Sequence, residues 1–438
     1  MIKPEEMQVV VLMGGLGTRL KEFTAEKPKS LVEVEGKPFF DYQLDLMQMW
    51  GFRKFVFLIG YRANMIEEHY GDGSDRNISI QYCYDGEELL GTGGAVRRAY
   101  DFLEDDFILM YGDSFMDIDF EETLYRYDKG KQNGMQGLMT VLKNNNQFDK
   151  SNAVVRDGQL VLYDKHHPTP EMDYIDYGIC MYEKQLFASY EPGTKFDVAE
   201  VQNKLSVSGK MVAHVVTKRF YEIGSPAALA EFKGYVRRRL LEEHPAVFLD
   251  RDGVINEIVF NEDAEQMDSP LKISEFQFLP GAVEAIRMIR EKGYYVFIVT
   301  NQPAAAKGKV SLTGLYDINT HFVNLLKEQN VEVDDIFMCP HFTKKLPMTK
   351  EDFLIQECDC RKPKPGLLYK AKRKYHLDWE NSYMVGDSYT DVAAGQAAGV
   401  KTVFIGGFKC DTCKRLDGKQ PDEIKKDIYA FAEYLPQA

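Results

Sequence analysis

The chain is 438 residues long, 44% apolar and 28% charged, with a formal charge of −14. That length exceeds one ordinary core and predicts two domains of about 200 residues each. The acidity argues against a nucleic-acid partner, which demands a basic face, but is compatible with anionic small molecules held by local cations, metal and backbone amides.

The N-terminus runs directly into a strand without a signal-peptide pattern, and no apolar stretch approaches the roughly 18–20 residues that span a bilayer. No membrane partner and a cytoplasmic location are therefore expected, and an oligomer stays open. Seven cysteines is an odd count, and their neighbours suit metal ligation better than disulfides. Strand-like runs alternate with helical patterns, which predicts an α/β chain of two Rossmann-like three-layer α/β/α domains in tandem, with parallel sheets.

In chain order, strands are predicted over 9–13, 55–59, 107–111, 137–142 and 179–181, with helices over 40–49 and 121–127. A helix over 226–241 starts with Pro226 and is capped by Ser225. Its end, Arg237-Arg238-Arg239, reads as a solvated terminus complementing the helix dipole, with an anion site as the alternative. The domain boundary is expected near 242–245, giving domains 1–242 and 243–438. The second domain is predicted to run strand 246–249, helix 281–291, strand 294–300, helix 312–329 and strand 382–385. Ile424, Ile428, Phe431 and Leu435 repeat at helical spacing over 422–435, a stripe expected to pack on the domain.

Gly14-Gly15-Leu16-Gly17-Thr18-Arg19-Leu20 follows the apolar run 9–12. Glycines let backbone amides approach phosphates, and Arg19 can fork onto the terminal phosphates. Farther on stand Glu26-Lys27-Pro28-Lys29, Leu90-Gly91-Thr92-Gly93-Gly94, Gly112-Asp113 and Phe220-Tyr221-Glu222-Ile223-Gly224. This ordered set, over about residues 7–235, resembles the sugar-phosphate nucleotidyltransferase family, and within it the heptose 1-phosphate guanylyltransferase branch.

The resemblance implies a nucleotidyltransferase fold and in-line attack of a sugar 1-phosphate on the α-phosphorus of a nucleotide, GTP or another nucleoside triphosphate. Leu12, Gly14, Gly15, Gly17, Thr18, Arg19, Lys29, Glu88, Gly91 and Thr92 would bind the nucleotide, with Arg19 and Lys29 catalytic. Asp113 and Glu222 would hold Mg²⁺, and Asp164, Lys165, Asp176 and Gly178 the sugar. Glu222, Asp164 and Asp176 depart from the family's usual Asp, Glu and Asn. His166-His167 reads as a polar loop rather than a metal site.

Asp250-Arg251-Asp252-Gly253 follows the apolar run 247–249. Side chains at i and i+2 share a face of extended chain, so both carboxylates can meet one phosphorus. Asp250 suits a nucleophile that becomes phosphorylated, and Asp252 the acid that protonates the leaving oxygen and then activates water. Mg²⁺ on Asp250, the Asp252 carbonyl and Asp387 would screen the charge. Thr300 and Asn301 can bind phosphoryl oxygens, and Lys362 brings a cation.

These four segments, ending in Gly386-Asp387-Ser388-Tyr389-Thr390-Asp391, resemble the haloacid dehalogenase superfamily. Asp391 either reaches the metal through water or anchors its loop. Cys339, His341, Cys358 and Cys360 make a tetrahedral Cys₃His set for a structural Zn²⁺, followed directly by Arg361 and Lys362 of the substrate site. That combination resembles the heptose 1,7-bisphosphate 7-phosphatase branch, whereas Pro303–Gly308 departs from the glycine-bearing loop of many relatives. Cys410 and Cys413 read as ordinary thiols rather than a second metal site.

Together the resemblances imply a bifunctional enzyme acting on heptose bisphosphate and then heptose 1-phosphate. Another sugar phosphate, or one non-catalytic binding domain, is the alternative.

Overall fold

The computed structural model describes residues 2–15, 24, 26–86, 88–261, 266–406 and 420–438. It divides into two compact units, Met1–Val236 and Arg237–Ala438.

The first unit is built on a nine-stranded sheet: β1 (Gln8–Leu12), β2 (Lys54–Ile59), β3 (Ser79–Tyr84), β4 (Asp106–Tyr111), β5 (Gly137–Lys143), β6 (Ala153–Arg156), β7 (Gln159–Tyr163), β8 (Tyr174–Glu183) and β9 (Met211–Val216). Their spatial order is β3-β2-β1-β4-β8-β5-β9-β7-β6. Val9, Val10 and Val11 are wholly buried, as a strand covered on both faces requires. The helices are α1 (Phe39–Trp50), α2 (Ala63–Tyr70), α3 (Gly91–Arg98), α4 (Phe120–Gln132), α5 (Val198–Val207) and α6 (Pro226–Val236). In register, Leu12 lies beside Leu58 on one flank and Tyr111 on the other. The glycine turn and Asp113 therefore leave the sheet at one edge, the carboxyl end of parallel strands where α/β folds bind ligands.

This sheet is mixed, not parallel as expected: β8 runs antiparallel to both β4 and β5. It also spans ten residues, far more than 179–181. A register shift between Asp176 and Cys180, with Gly178 at φ +103°, breaks the in–out alternation and hides the strand's first half from pattern reading.

The second unit carries six parallel strands, β10 (His244–Leu249), β11 (Tyr295–Asn301), β12 (Asp335–Cys339), β13 (Leu377–Gly386), β14 (Lys401–Ile405) and β15 (Glu423–Lys425). They lie in the order β12-β11-β10-β13-β14-β15. Its helices are α7 (Ala282–Glu291), α8 (Leu312–Glu328), α9 (Gly366–Lys374), α10 (Tyr389–Ala398) and α11 (Ile428–Tyr434). Every crossover is long, so the ends of β10, β11 and β13 meet at one edge.

Two expectations are corrected. The helix from Pro226 keeps its Ser225 cap, whose Oγ accepts the Ala228 N–H at 3.2 Å. It ends as an α-helix at Val236, and residues 237–241 form a wider π-helical turn. Arg239 there is buried over the Tyr375 ring, its Nε donating to the Lys374 carbonyl at 3.0 Å, and Arg238 covers Tyr295. Arg239 therefore serves packing, whereas Arg237 and Arg238 stay exposed, as a solvated end requires. The tail is likewise no single helix. Residues 423–425 pair with β14, leaving Ile424 exposed, because Asp422 accepts both the N–H and hydroxyl of Thr402 and pins the strand. Ile428, Phe431 and Leu435 do pack into the core with Ile286 and Ile289.

Among the described residues, no helix is long and apolar enough to cross a membrane.

Candidate active sites

In the first unit the sheet edge gathers acidic and basic groups from distant segments. Asp113 follows β4 and Gly112, whose N–H donates to the Leu12 carbonyl at 3.0 Å. Lys29 donates to the Asp113 carboxylate at 2.7 Å. Glu222 reaches the same neighbourhood by backbone pairing: residues 221–222 pair with 114–115, and the Ile223 N–H donates to the Asp113 carbonyl at 3.1 Å. Its side chain is exposed, as is that of Glu88. Leu12, Gly14 and Gly15 line the turn's start, while Leu16, Gly17, Thr18, Arg19 and Leu20 lie outside the described residues.

One carboxylate here was not singled out from sequence. A Cβ on Gly14 would lie 2.2 Å from Asp85 Oδ2, and one on Gly60 2.5 Å from the same atom. Two residues without side chains thus make the notch that Asp85 fills. Burial pushes Asp85 above the usual carboxylate range, against the pull of Arg98.

Gly91 opens α3 at φ +75°, and a Cβ there would meet the Phe196 carbonyl at 2.5 Å. Thr92 and Lys165 converge on Asp197, the N-cap of α5. Asp176 sits in the bulge of β8. Its Oδ1 accepts the Gly178 N–H at 2.9 Å, and burial pushes its pKa up to about 6, partly countered by Gly178, Gln202 and Lys165. Asp113, Asp176 and Asp197 all help to hold the Tyr111 hydroxyl above its usual range, after burial itself, so these carboxylates surround one patch. Asp164 turns inward on its own loop. Its Oδ1 accepts the N–H groups of His166 and His167, and those bonds hold it below the usual range.

The second site is more tightly tied. Lys362 is buried, and its Nζ lies 2.9 Å from Asp250 Oδ1 and 2.6 Å from Asp391 Oδ1 while donating to the Val299 carbonyl at 2.8 Å. Burial, together with Asp391, Asp387 and Asp252, pushes Asp250 above the usual carboxylate range, and Lys362 holds it back. Burial alone would lower Lys362, but Asp250 and Asp391 outweigh it and raise the ammonium's pKa. Asp391 Oδ2 accepts the Ser388 N–H at 3.1 Å and its hydroxyl at 2.6 Å, so Asp391 anchors the loop that carries Asp387.

Asp252 is gripped by Arg251, Asn256 and Gln302. The wholly buried Arg251 donates to both its oxygens and to Asn319 Oδ1 at 2.7 Å. Asn256 Nδ2 donates to Asp252 Oδ1 at 2.9 Å, and Gln302 Nε2 to Oδ2. Thr300 is buried under Gln302, which donates to its hydroxyl. The Asn301 amide pairs in both directions with the Lys362 backbone, 3.0 Å each way, and so places that lysine. Arg361 Nη1 donates to the His341 carbonyl at 3.1 Å.

Ligand atoms of Asp250, Asp387 and Asp391 lie within 4.8 Å of one another, a hard oxygen set suited to a divalent cation. Those of Cys339, His341, Cys358 and Cys360 do the same, with Cys360 Sγ 3.1 Å from Cys339 Sγ and 3.3 Å from His341 Nδ1. The Cys339 hydrogen bond and burial push Cys360 up to about 12, so a thiolate there calls for a cation at the centre of the set. Cys83 and Cys180 are buried free thiols, and Cys410 and Cys413 lie outside the described residues.

Fold and sites define a two-unit enzyme of phosphate esters. The nucleotidyl transferase family model matches residues 8–236, and a haloacid-dehalogenase-hydrolase-like model matches residues 359–431. The D-glycero-alpha-D-manno-heptose-1,7-bisphosphate 7-phosphatase of Photorhabdus laumondii is 35% identical over 158 residues, 36% of this chain and 80% of that protein. The D-glycero-beta-D-manno-heptose-1,7-bisphosphate 7-phosphatase of Vibrio cholerae is 40% identical over 168 residues, 37% of this chain and 80% of that protein. Among solved structures, HddC from Yersinia pseudotuberculosis complexed with GMP-PN is 24% identical, covering 52% of this chain and 99% of that one at a TM-score of 0.44. The chain belongs to the nucleotidyl transferase family and, with these phosphatases, to the haloacid dehalogenase hydrolases: it is a bifunctional enzyme.

Proposed function

We propose that the second unit removes the 7-phosphate of D-glycero-D-manno-heptose 1,7-bisphosphate. The first unit then transfers a nucleotidyl group, GMP from GTP, to the resulting heptose 1-phosphate, and pyrophosphate leaves. The observation that carries this reading is the convergence of Asp250, Asp252 and Lys362 at one strand edge, in a chain 35% and 40% identical over 158 and 168 residues to phosphatases named for that bisphosphate. The nucleotide and sugar rest on the motif resemblance of the first unit.

In the phosphatase, Asp250 Oδ attacks phosphorus and the bond to the sugar oxygen breaks. Lys362 keeps that carboxylate in place and offsets its charge. Asp252, aimed by Arg251, Asn256 and Gln302, gives a proton to the departing oxygen and later takes one from the water that frees phosphate. A Mg²⁺ on Asp250 and Asp387 would neutralise the phosphoryl oxygens, and in the transferase Asp113 and Glu222 would hold another. In the Cys₃His set Zn²⁺ would order residues 339–360, with no open position for chemistry. In the transferase, Lys29 steadies Asp113 and faces the α-phosphate, while Lys165 and Asp176 receive the sugar phosphate. Cytoplasm suits such substrates.

The test supplies heptose 1,7-bisphosphate with each nucleoside triphosphate in turn and follows phosphorus by NMR. Phosphate should appear first, then pyrophosphate, with GTP preferred. Phosphate without pyrophosphate for every nucleotide would overturn the two-step reading.

A further inference from the structure

Three segments remote in sequence meet at the Asp197 carboxylate. Its Oδ1 accepts the Thr92 hydroxyl at 3.1 Å and the Ala199 N–H at 2.9 Å, while Thr92 Oγ1 accepts the Val198 N–H at 2.9 Å. Its Oδ2 pairs with Lys165 Nζ. Partial burial would raise Asp197, yet Lys165, the Ala199 N–H and Thr92 together leave it below the usual range, so it is anionic at neutral pH.

The Asp197 segment is bolted to the turn that opens α3. The Gly93 and Gly94 N–H groups donate to the Phe196 carbonyl at 3.1 and 3.2 Å, and the Phe196 N–H returns a bond to the Leu90 carbonyl at 3.0 Å. A Cβ on Gly93 would run into the Phe196 ring at 2.3 Å, so only glycine permits this approach. Phe196 is itself fixed by flat stacking on Tyr190, centroids 3.8 Å apart. The turn proposed to face the nucleotide thus forms one rigid body with Asp197. Lys165 comes from the other side, just beyond β7, and sits near Asp176.

A half-exposed ion pair contributes little stability, so the Lys165–Asp197 contact is better explained by aim than by folding. A lysine on a flexible four-carbon stem must be held if it is to meet a phosphate in one position. We infer that Asp197 is a positioning residue that aims Lys165 at the sugar 1-phosphate and joins that lysine mechanically to the nucleotide turn. This rests on the reading of the first unit as a sugar 1-phosphate transferase.

Asp197→Asn separates the roles. The amide oxygen can still cap α5 and accept from Thr92, but Lys165 loses its anionic partner. The full-length protein is titrated with heptose 1-phosphate by calorimetry without GTP, so that no transfer occurs, and steady-state constants with both substrates are measured in parallel. The expected result is sugar-phosphate affinity weakened about tenfold, KM for GTP unchanged within about twofold and the melting temperature retained. Lys165→Ala should weaken the sugar phosphate at least as much, and adding Asp197→Asn to it should cost nothing further. Normal sugar-phosphate binding in Asp197→Asn, or additive losses in the double variant, would overturn the positioning role. Absence of sugar-phosphate binding by the unaltered protein would instead overturn the transferase reading, and this inference with it.

Discussion

The two sites solve related problems with opposite economies of contact. In the phosphatase unit, Lys362 has three oxygen partners and Asp252 is held by three side chains, all before any substrate arrives. In the transferase unit, among the described residues, Asp113 pairs with Lys29 and the Glu222 side chain is exposed. The difference follows from the chemistry. A protein carboxylate that must itself form a bond to phosphorus needs its line of attack set by the fold. A transfer between two bound phosphates needs the substrates aligned, and the protein supplies charge around them.

The sharpest way to break this comparison is to disable each site alone. Asp250→Asn should reduce phosphate release by roughly 10³-fold or more, because the residue proposed to form the covalent bond is lost. Transfer to preformed heptose 1-phosphate should be untouched, and Asp113→Ala should show the reverse. Loss of both activities in either folded variant, read from phosphate and pyrophosphate release, would deny the separation.

Removing the central cation tests how strongly the second site depends on its ties. Lys362→Met leaves Asp250 and Asp391 buried together without a counter-charge. The expected loss is about 3–5 kcal/mol in stability of that unit, measured by urea unfolding, as for other broken buried pairs. A loss under 1 kcal/mol would mean that the site is less rigidly coupled than its distances suggest.

In the first unit Asp176 supplies a smaller, pH-dependent effect. Its folded pKa of about 6 stands above the ordinary 3.8, so the folded state binds this proton more tightly than the unfolded chain does. The penalty is absent below about pH 4, grows as pH rises and is complete above about pH 6. Asp176→Asn should therefore stabilise the unit by roughly 3 kcal/mol at pH 7.5 and by nearly nothing at pH 4. Thermal melts at the two pH values check the sign; equal shifts at both would contradict it.

The smallest expected effect is at Ser225. Ser225→Ala removes the cap from α6 and should cost about 1 kcal/mol, with both activities intact. An effect on activity larger than on melting would place α6 closer to the chemistry than its packing implies.

Much of this molecule was legible without coordinates where a residue's role is set within its own segment. The apolar runs before Gly14 and Asp250 had to be buried strands, because each is covered on both faces. The Cys-x-His and Cys-x-Cys pairs announced a four-ligand set that the structure brings within 4.8 Å. Local pattern failed where the backbone breaks its period. The bulge at residues 176–180 concealed half of β8, and the tail's helical spacing concealed a strand.

What only tertiary structure decided are the encounters between segments far apart in the chain. Nothing near Asp85 in sequence says that it fills the notch between Gly14 and Gly60, and nothing near Asp197 says that it joins Thr92 to Lys165. The antiparallel entry of β8 and the packing of Arg239 on Tyr375 are of the same kind. Sequence alone determined the two enzyme classes, because their motifs are written in short spacings. Tertiary structure determined how firmly each is aimed, because aim depends on partners that only folding brings within a hydrogen bond's reach.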